Sequence, residues 1–375
     1  MNSTSPDELL ALLALTCTPR VGLILRRQLI REMKTASAVY EHRTELPELL
    51  PGVRPSLVAA LDCPAAMKRA EVEMKYIEQH HIHPITIHDE AYPSRLRECD
   101  DAPLVLYYCG NANLNARHVV SIVGTRKATE YGRDLCTSFL RDLSQLCPDV
   151  LVVSGLAYGI DVAAHRASLT NGLSTVGVLA HGLDRIYPSA HRSVAAQMAD
   201  QGGLLTEYMS FTEPERQNFV QRNRIVAGMT DAVVVIESAS HGGALITADL
   251  GMGYHRDVYA FPGRVGDEYS IGCNQLIRSN SAALITSAAD FVQAMGWATD
   301  AHPSDGAVQR QLFVELTPDE ERVLSCLRQE PEGLSVNLLV VECDIPINRL
   351  TAILFSLEMK GVVRSLPGAR YRAIN

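Results

Sequence analysis

Three groups of residues in this chain have the types and spacing to hold an anion: Gly124 and Arg126 in SIVGTR, Ser154, Gly155 and Gly159 in VSGLAYGID, and Gly242, Gly243 and Thr247 in HGGALIT. Each falls where an apolar β-rich run gives way to a glycine-containing break and then a helical pattern, as in VVSIVGTRKATEYG, VLVVSGLAYGIDVAAH and AVVVIESASHGGALITAD. A helix start leaves backbone N–H groups without intrahelical acceptors and carries the positive end of the macrodipole. Several anion pockets, phosphate above all, are therefore expected along one sheet edge. Gly124 lets the chain turn sharply off a strand while Arg126 projects toward the sheet's carboxyl edge. Gly159 opens a helix whose first turn carries Asp161, which reads equally well as a plain helix-dipole partner. One such loop is weak evidence, since many α/β proteins have one; three at matching places are much stronger.

The run FVQRNRIVAGM sets Arg222, Asn223 and Arg224 side by side near a helix start. Three successive residues cannot share one helical face. The expectation is Arg222 and Asn223 toward the pocket and Arg224 in a structural role. Asn274 and Arg278 in GCNQLIRSN lie one turn apart and could close a far wall, although surface decoration explains them equally well. His80, His81, His83 and His88 cluster, yet no carboxylate or cysteine completes a ligand set, so no metal site is expected. His165, four residues after Asp161, reads as a hydrogen-bonded scaffold residue rather than a general base. No Ser-His-Asp or Cys-His set is present, no catalytic residue is assigned, and no cofactor is expected.

These groups need a rigid frame. The candidate strands 119–123, 150–154, 175–180, 204–207, 232–237, 258–261 and 283–285 are nearly continuous in apolar residues, as in strands covered on both faces. Helical stretches intervene at 131–146, 160–170, 192–199, 219–229 and 244–254. The reading is an α/β fold, an extended Rossmann-like doubly wound parallel sheet over residues 83–297, with ligands beyond the strand carboxyl ends. HPITIHDEAYPSRLRECDDAPLVLYYCG supplies two further edge strands. Residues 1–82 read as a small helical domain, SAM- or helix-hairpin-helix-like, with VGLILRRQLI and LPGVRPSLVAAL as its two half-motifs. A polar linker, 298–315, precedes a unit at 316–375 whose three helical patterns and strand pair VVRSLPGARYRAI make a winged helix. Residues 317–375 carry 7 basic and 8 acidic side chains, which favours a regulatory or protein-binding role over DNA reading, with Arg364, Arg370 and Arg372 keeping nucleic acid open.

Charge narrows the partners. A net charge of −9 argues against a broad basic face coating duplex DNA, so any polyanion must be held locally. Between 103 and 297 the chain has 14 basic residues, of which 13 are arginine, and the planar guanidinium suits bidentate phosphate contacts. Nine scattered cysteines without a C-x-x-C pair suggest a reducing cytoplasm. The apolar run 9–15 is too short to span a bilayer, and no export signal or membrane anchor is expected.

The ordered series PSRL, SIVGTRKATEYG, VSGLAYGIDVAAH, GVLAHGLDRIYP, LLTEY, RNRIVAGM, GGALITA, DVYAFPG and GCNQLI resembles the DNA-processing protein A (DprA) family over about residues 90–290. The resemblance implies a cytoplasmic, homodimeric single-stranded DNA binder that protects incoming DNA during natural transformation and loads the RecA recombinase onto it. It implies a phosphate and nucleotide pocket made of Gly124, Arg126, Ser154, Gly155, Gly159, Arg222, Asn223, Gly242, Gly243 and Thr247, with a base resting on a side chain such as Tyr158. Many relatives have a lysine just before the strand that begins here at Ser174, and Arg185 is the neighbouring cation that could compensate. Two rival readings remain open. GGALITAD resembles the loop of nucleoside monophosphate phosphoribohydrolases, with Asp249 near their catalytic glutamate, and a nucleotide sensor could use the same fold.

Overall fold

The computed structural model describes residues 4–50, 54–297, 316–330, 333–366 and 370–374. The expected linker, the Pro51-Gly52 turn signal and the tip of the last strand pair lie outside them. By internal contacts the chain divides into two compact units, 1–300 and 301–375.

The first unit is built on a nine-stranded sheet. Its strands are β1 (His83–Thr86), β2 (Val105–Gly110), β3 (Val119–Val123), β4 (Leu151–Ser154), β5 (Thr175–Val178), β6 (Gly202–Thr206), β7 (Ala232–Val235), β8 (Asp257–Ala260) and β9 (Ala283–Leu284). Their order is β1-β2-β6-β5-β4-β3-β7-β8-β9. The seven strands from β6 to β9 run parallel, and β2 and β1 extend the β6 edge antiparallel. The parallel part starts at β3, winds outward to β6, then returns to β7 on the other side of β3. The β3–β7 junction is thus the topological switch point, where doubly wound sheets open a crevice at their carboxyl ends.

Successive side chains of a strand point to opposite faces, and β3 shows both faces buried. Val119 and Val123 join a core with Val153, Val176, Val233, Ile225 and Ala248. Val120 and Ile122 join a second core with Phe139, Leu140, Val152, Val234 and Phe291. Fully burying each such side chain is worth about 1.5–3 kcal/mol, which explains why these strands read as unbroken apolar runs.

The N-terminal helices, among them Pro6–Cys17 and Pro64–Gln79, belong to the first of these cores through Leu12, Leu13, Leu15 and Ala70. The segment 1–82, expected as a domain of its own, is therefore not set apart from the sheet. Its Arg27 donates to the carbonyl of Cys99, and its buried Glu73 accepts from the Ser210 amide at 3.0 Å.

The second unit has helices Pro318–Gln329, Val336–Cys343 and Ile347–Met359 and strands β10 (Leu334–Ser335), β11 (Val363–Leu366) and β12 (Arg370–Ala373), the last two antiparallel. Three helices backed by a small sheet form a winged helix. Its first helix begins in a capping box between Thr317 and Glu320. The Lys360 ammonium beside it, 2.7 Å away, holds the Glu320 carboxyl down at about 2.

Candidate functional site

A cavity of about 1010 Å³ opens at the switch point, between the loop after β3 and the loop after β7. Gly124, Arg126, Gly155, Arg222, Asn223, Gly242, Gly243 and Thr247 all line it, together with Asp161. The loops that carry them interlock. The Thr125 amide donates to the Glu237 carbonyl at 2.7 Å, and the Ile160 amide to the Thr125 carbonyl at 3.2 Å. Close approach explains two of the glycines. A Cβ at Gly159, which has φ +80°, would sit 2.1 Å from the Thr125 carbonyl oxygen. A Cβ at Gly155 would fall 2.0 Å from an Arg222 guanidinium nitrogen.

The three glycine-containing breaks do not all end in open helix mouths. At the helix Glu130–Leu146, Thr129 Oγ1 accepts from the Gly132 amide at 3.1 Å, and the Glu237 carboxylate accepts from the Thr129 amide at 2.9 Å. That mouth is closed by the protein's own oxygens. The helix Ile160–Thr170 starts at Gly159 with no side-chain cap, but its first amides are taken by carbonyls, Ile160 donating to Thr125 and Val162 to Ala157, each at 3.2 Å. At the helix Gly243–Gly253, capped by Gly242 without a side chain, the start faces the cavity. A Cβ on Gly242 would meet only the Ser238 hydroxyl, at 3.9 Å. The expectation of several equivalent anion pockets is corrected to one open mouth, with protein oxygens at the other two.

Three expected site residues face elsewhere. The Ser154 hydroxyl is fully buried and donates to the Ile122 carbonyl at 2.6 Å. Gly159 contributes by packing under Thr125 rather than by lining the cavity. Asn274 is engaged with the backbone of Gly263, accepting from its amide at 3.1 Å and donating to its carbonyl at 3.0 Å. Arg222 reaches the cavity wall but is 3% exposed, its guanidinium donating to the Val178 carbonyl. Asn223 donates to the Gly243 carbonyl at 3.3 Å. Arg224 points away to Glu207 and the Asp101 carbonyl, as its place in the run suggested.

The inner wall is electrostatically strained. Burial raises the Asp161 carboxyl, against the pull of Arg222 and Arg126, and burial lowers the Arg222 guanidinium, which Asp161 offsets. Behind them, burial and then the Arg222 charge push the His165 imidazole down to about 3. Its Nδ1 pairs with Thr175 Oγ1 at 2.7 Å, the scaffold arrangement expected of it.

The outer wall holds groups that sequence reading missed. The Arg126 guanidinium lies over the Phe219 ring, 5.1 Å from its centroid, and Tyr187 sits 5.9 Å from the same ring. Lys127, Arg216 and Tyr269 also line the cavity. The signal for Phe219 was its position three residues before Arg222, which puts both on one side of the helix Arg216–Gly228. Tyr158 instead lies edge-on to His191 outside the cavity lining. Ser174 and Arg185 are also outside it, and Arg185 is held between Asp184 at 2.8 Å and Glu213 at 2.6 Å. Among the described residues no group of three or more His, Cys, Asp or Glu is placed to hold a metal ion, and no helix is long and apolar enough to cross a membrane.

Sheet order and cavity together define a Rossmann-like α/β protein with a cavity at the strand carboxyl ends, joined in sequence to a winged helix. The family model described as DNA recombination-mediator protein A matches residues 83–296, and that of the DprA winged helix domain matches 309–369. The chain is 42% identical over 205 residues to a DNA processing protein DprA of Mycobacterium tuberculosis, 54% of this chain and 52% of that protein, so it spans about half the length of that relative. It resembles the X-ray structure of DNA processing protein A from Streptococcus pneumoniae with TM-score 0.61 and 30% identity, over 78% of this chain and 98% of the other. It also resembles, with TM-score 0.52 and 27% identity, over 58% of this chain and all of the other, the Helicobacter pylori DNA processing protein A described for its single-stranded DNA binding mode. The chain therefore belongs to the DNA-processing protein A (DprA) family, whose model is described as that of a DNA recombination mediator.

Proposed function

We propose that this protein binds single-stranded DNA in the switch-point cavity, protects it during natural transformation and loads RecA recombinase onto it, acting as a homodimer in the reducing cytoplasm. The observation that carries the reading is the outer wall, where the open Gly242–Gly243 helix mouth, Arg126, Lys127, Phe219 and Tyr187 border one cavity. Backbone N–H groups and guanidinium or ammonium cations hold phosphates, and aromatic faces hold bases without reading their identity. Concentrating cations here explains how a chain of net charge −9 grips a polyanion. The likeness to the Helicobacter pylori protein supports the same ligand.

The residues proposed as the DNA site are Gly124, Arg126, Gly155, Arg222, Asn223, Gly242, Gly243 and Thr247, with Ser154, Gly159 and Asn274 acting behind the wall as supports. The family's usual lysine is replaced by Ser174, so one phosphate contact fewer should flatten the salt dependence by about one unit of slope. Duplex DNA binds worse because a paired backbone cannot bend into the cavity. Asp249 and Glu268 in the lining favour, more weakly, a nucleotide-cleaving alternative. The test is oligothymidylate binding measured against salt and against duplex, beside release of free base from nucleoside monophosphates. Equal affinity for both DNA forms would sink the reading, and base release without oligonucleotide binding would replace it with the enzymatic one.

A further inference from the structure

All nine cysteines are free thiols, and among the described residues Cys326 and Cys343 are brought together by a sulfur–sulfur hydrogen bond of 3.4 Å. Cys326 lies on the helix Pro318–Gln329 and Cys343 ends the helix Val336–Cys343. The residue after Cys343, Asp344, takes a left-handed conformation with φ +50° that stops the helix. Cys343 itself is buried in the core of the unit, among Leu327, Leu339 and Leu350. Cys326 is partly exposed and accepts the thiol hydrogen of Cys343. One thiol thus belongs to a partly exposed residue, and the other to a buried one.

We propose that Cys326 and Cys343 form a reversible disulfide when the protein meets a hydroperoxide. A disulfide bond is about 2.05 Å long, so the sulfurs need to close little more than an ångström, within reach of side-chain rotation. The Cys326 thiolate attacks one peroxide oxygen, the O–O bond breaks, and the departing hydroxide takes up the proton lost by Cys326 to leave as water. Cys326 is then a sulfenic acid. The Cys343 sulfur attacks the Cys326 sulfur, the S–O bond breaks, and the second hydroxide takes the Cys343 proton. Two thiols are oxidised to one disulfide, and one hydrogen peroxide is reduced to two waters. Burial, then the neighbouring Cys326, push the Cys343 thiol up to about 12. The product ties two helices across 17 residues of sequence and opposes their separation.

The test treats the full-length reduced protein with stoichiometric hydrogen peroxide and maps thiols by peptide mass. The expected product is a peptide pair joined through 326 and 343, lighter by two hydrogens, restored by dithiothreitol and absent from Cys326→Ser. Cys343→Ser should stall at a Cys326 sulfenic acid that dimedone labels, and Cys343→Ala repeats that arm if the buried serine hinders folding. Oxidation of other cysteines while both of these stay reduced would overturn the proposal. So would conversion of Cys326 to a sulfinic acid with no cross-link in the unsubstituted protein.

Discussion

Two helix starts follow the same strand–glycine–helix pattern, and only the one at Gly243 lines the cavity; they behave oppositely. At Glu130 the amides are taken by Thr129 and Glu237, while at Gly243 the cap is a glycine with space around it. Arg222 in the inner wall, with Ser154 and His165 behind it, is likewise turned into the protein, whereas Arg126, Phe219 and Gly242 in the outer wall border the open cavity. The difference teaches that a glycine loop announces a sharp turn beside a helix, and the flanking oxygens decide whether an anion can use it. Inner-wall changes should therefore register in stability, and outer-wall changes in binding.

The largest effect that sharpens this division is Arg126→Ala. It should weaken oligothymidylate binding by about 1 to 3 kcal/mol, the worth of a charged hydrogen bond, while the melting temperature barely moves. An unchanged Kd would break the division at its strongest point.

On the inner side, the His165 imidazole is held down at about 3 in the folded chain against 6.5 when free. The unfolded chain takes up a proton below 6.5 that the folded one refuses until about 3. The stability is thus intact above 6.5 and is lost as pH falls through that window, by at most about 1.4 kcal/mol per pH unit from this group. His181, also lowered by burial, adds to the same slope. Urea unfolding between pH 7 and 5 should show a shallower decline for His165→Gln, and parallel curves would remove His165 from the account.

Smaller still, Thr129→Ala removes a helix cap and should cost about 1 kcal/mol of stability with Kd unchanged, because Glu237 still occupies that mouth. Loss of DNA affinity in this variant would mean that the closed mouth takes part after all. The finest probe reverses the outer wall: Gly242→Asp places a carboxylate cap where there is room for one. It should raise stability by a few tenths of a kcal/mol and weaken oligonucleotide binding. Undiminished binding would deny the open mouth its role.

Much of this architecture was legible in the residues because burial on both faces favours nearly continuous apolar runs, and β3, β4, β7 and β8 have them. The helix Ile160–Thr170 was marked by the glycine before it. The strand expected at 204–207 begins two residues earlier, at Gly202, where a Cβ would strike the Thr175 carbonyl oxygen at 1.9 Å and only glycine fits. The helix starting at Arg216 was read from Phe219, because its polar first turn shows no apolar period. At the site, the glycines marked the loops, but the contact of Thr129 with Glu237 spans 108 residues and leaves no local trace. The same is true of Ser154 and Asn274, whose polar atoms are satisfied by neighbours that no spacing rule could name.

The shared core between the N-terminal helices and the sheet bears on how the protein can be handled. Trimming the chain to start near residue 83, where the family's central region begins, would strip Leu12, Leu13 and Leu15 from their place against the sheet-bearing core. The wound would be greasy, and such a fragment should clump in solution unless a detergent or a substitute surface covers it.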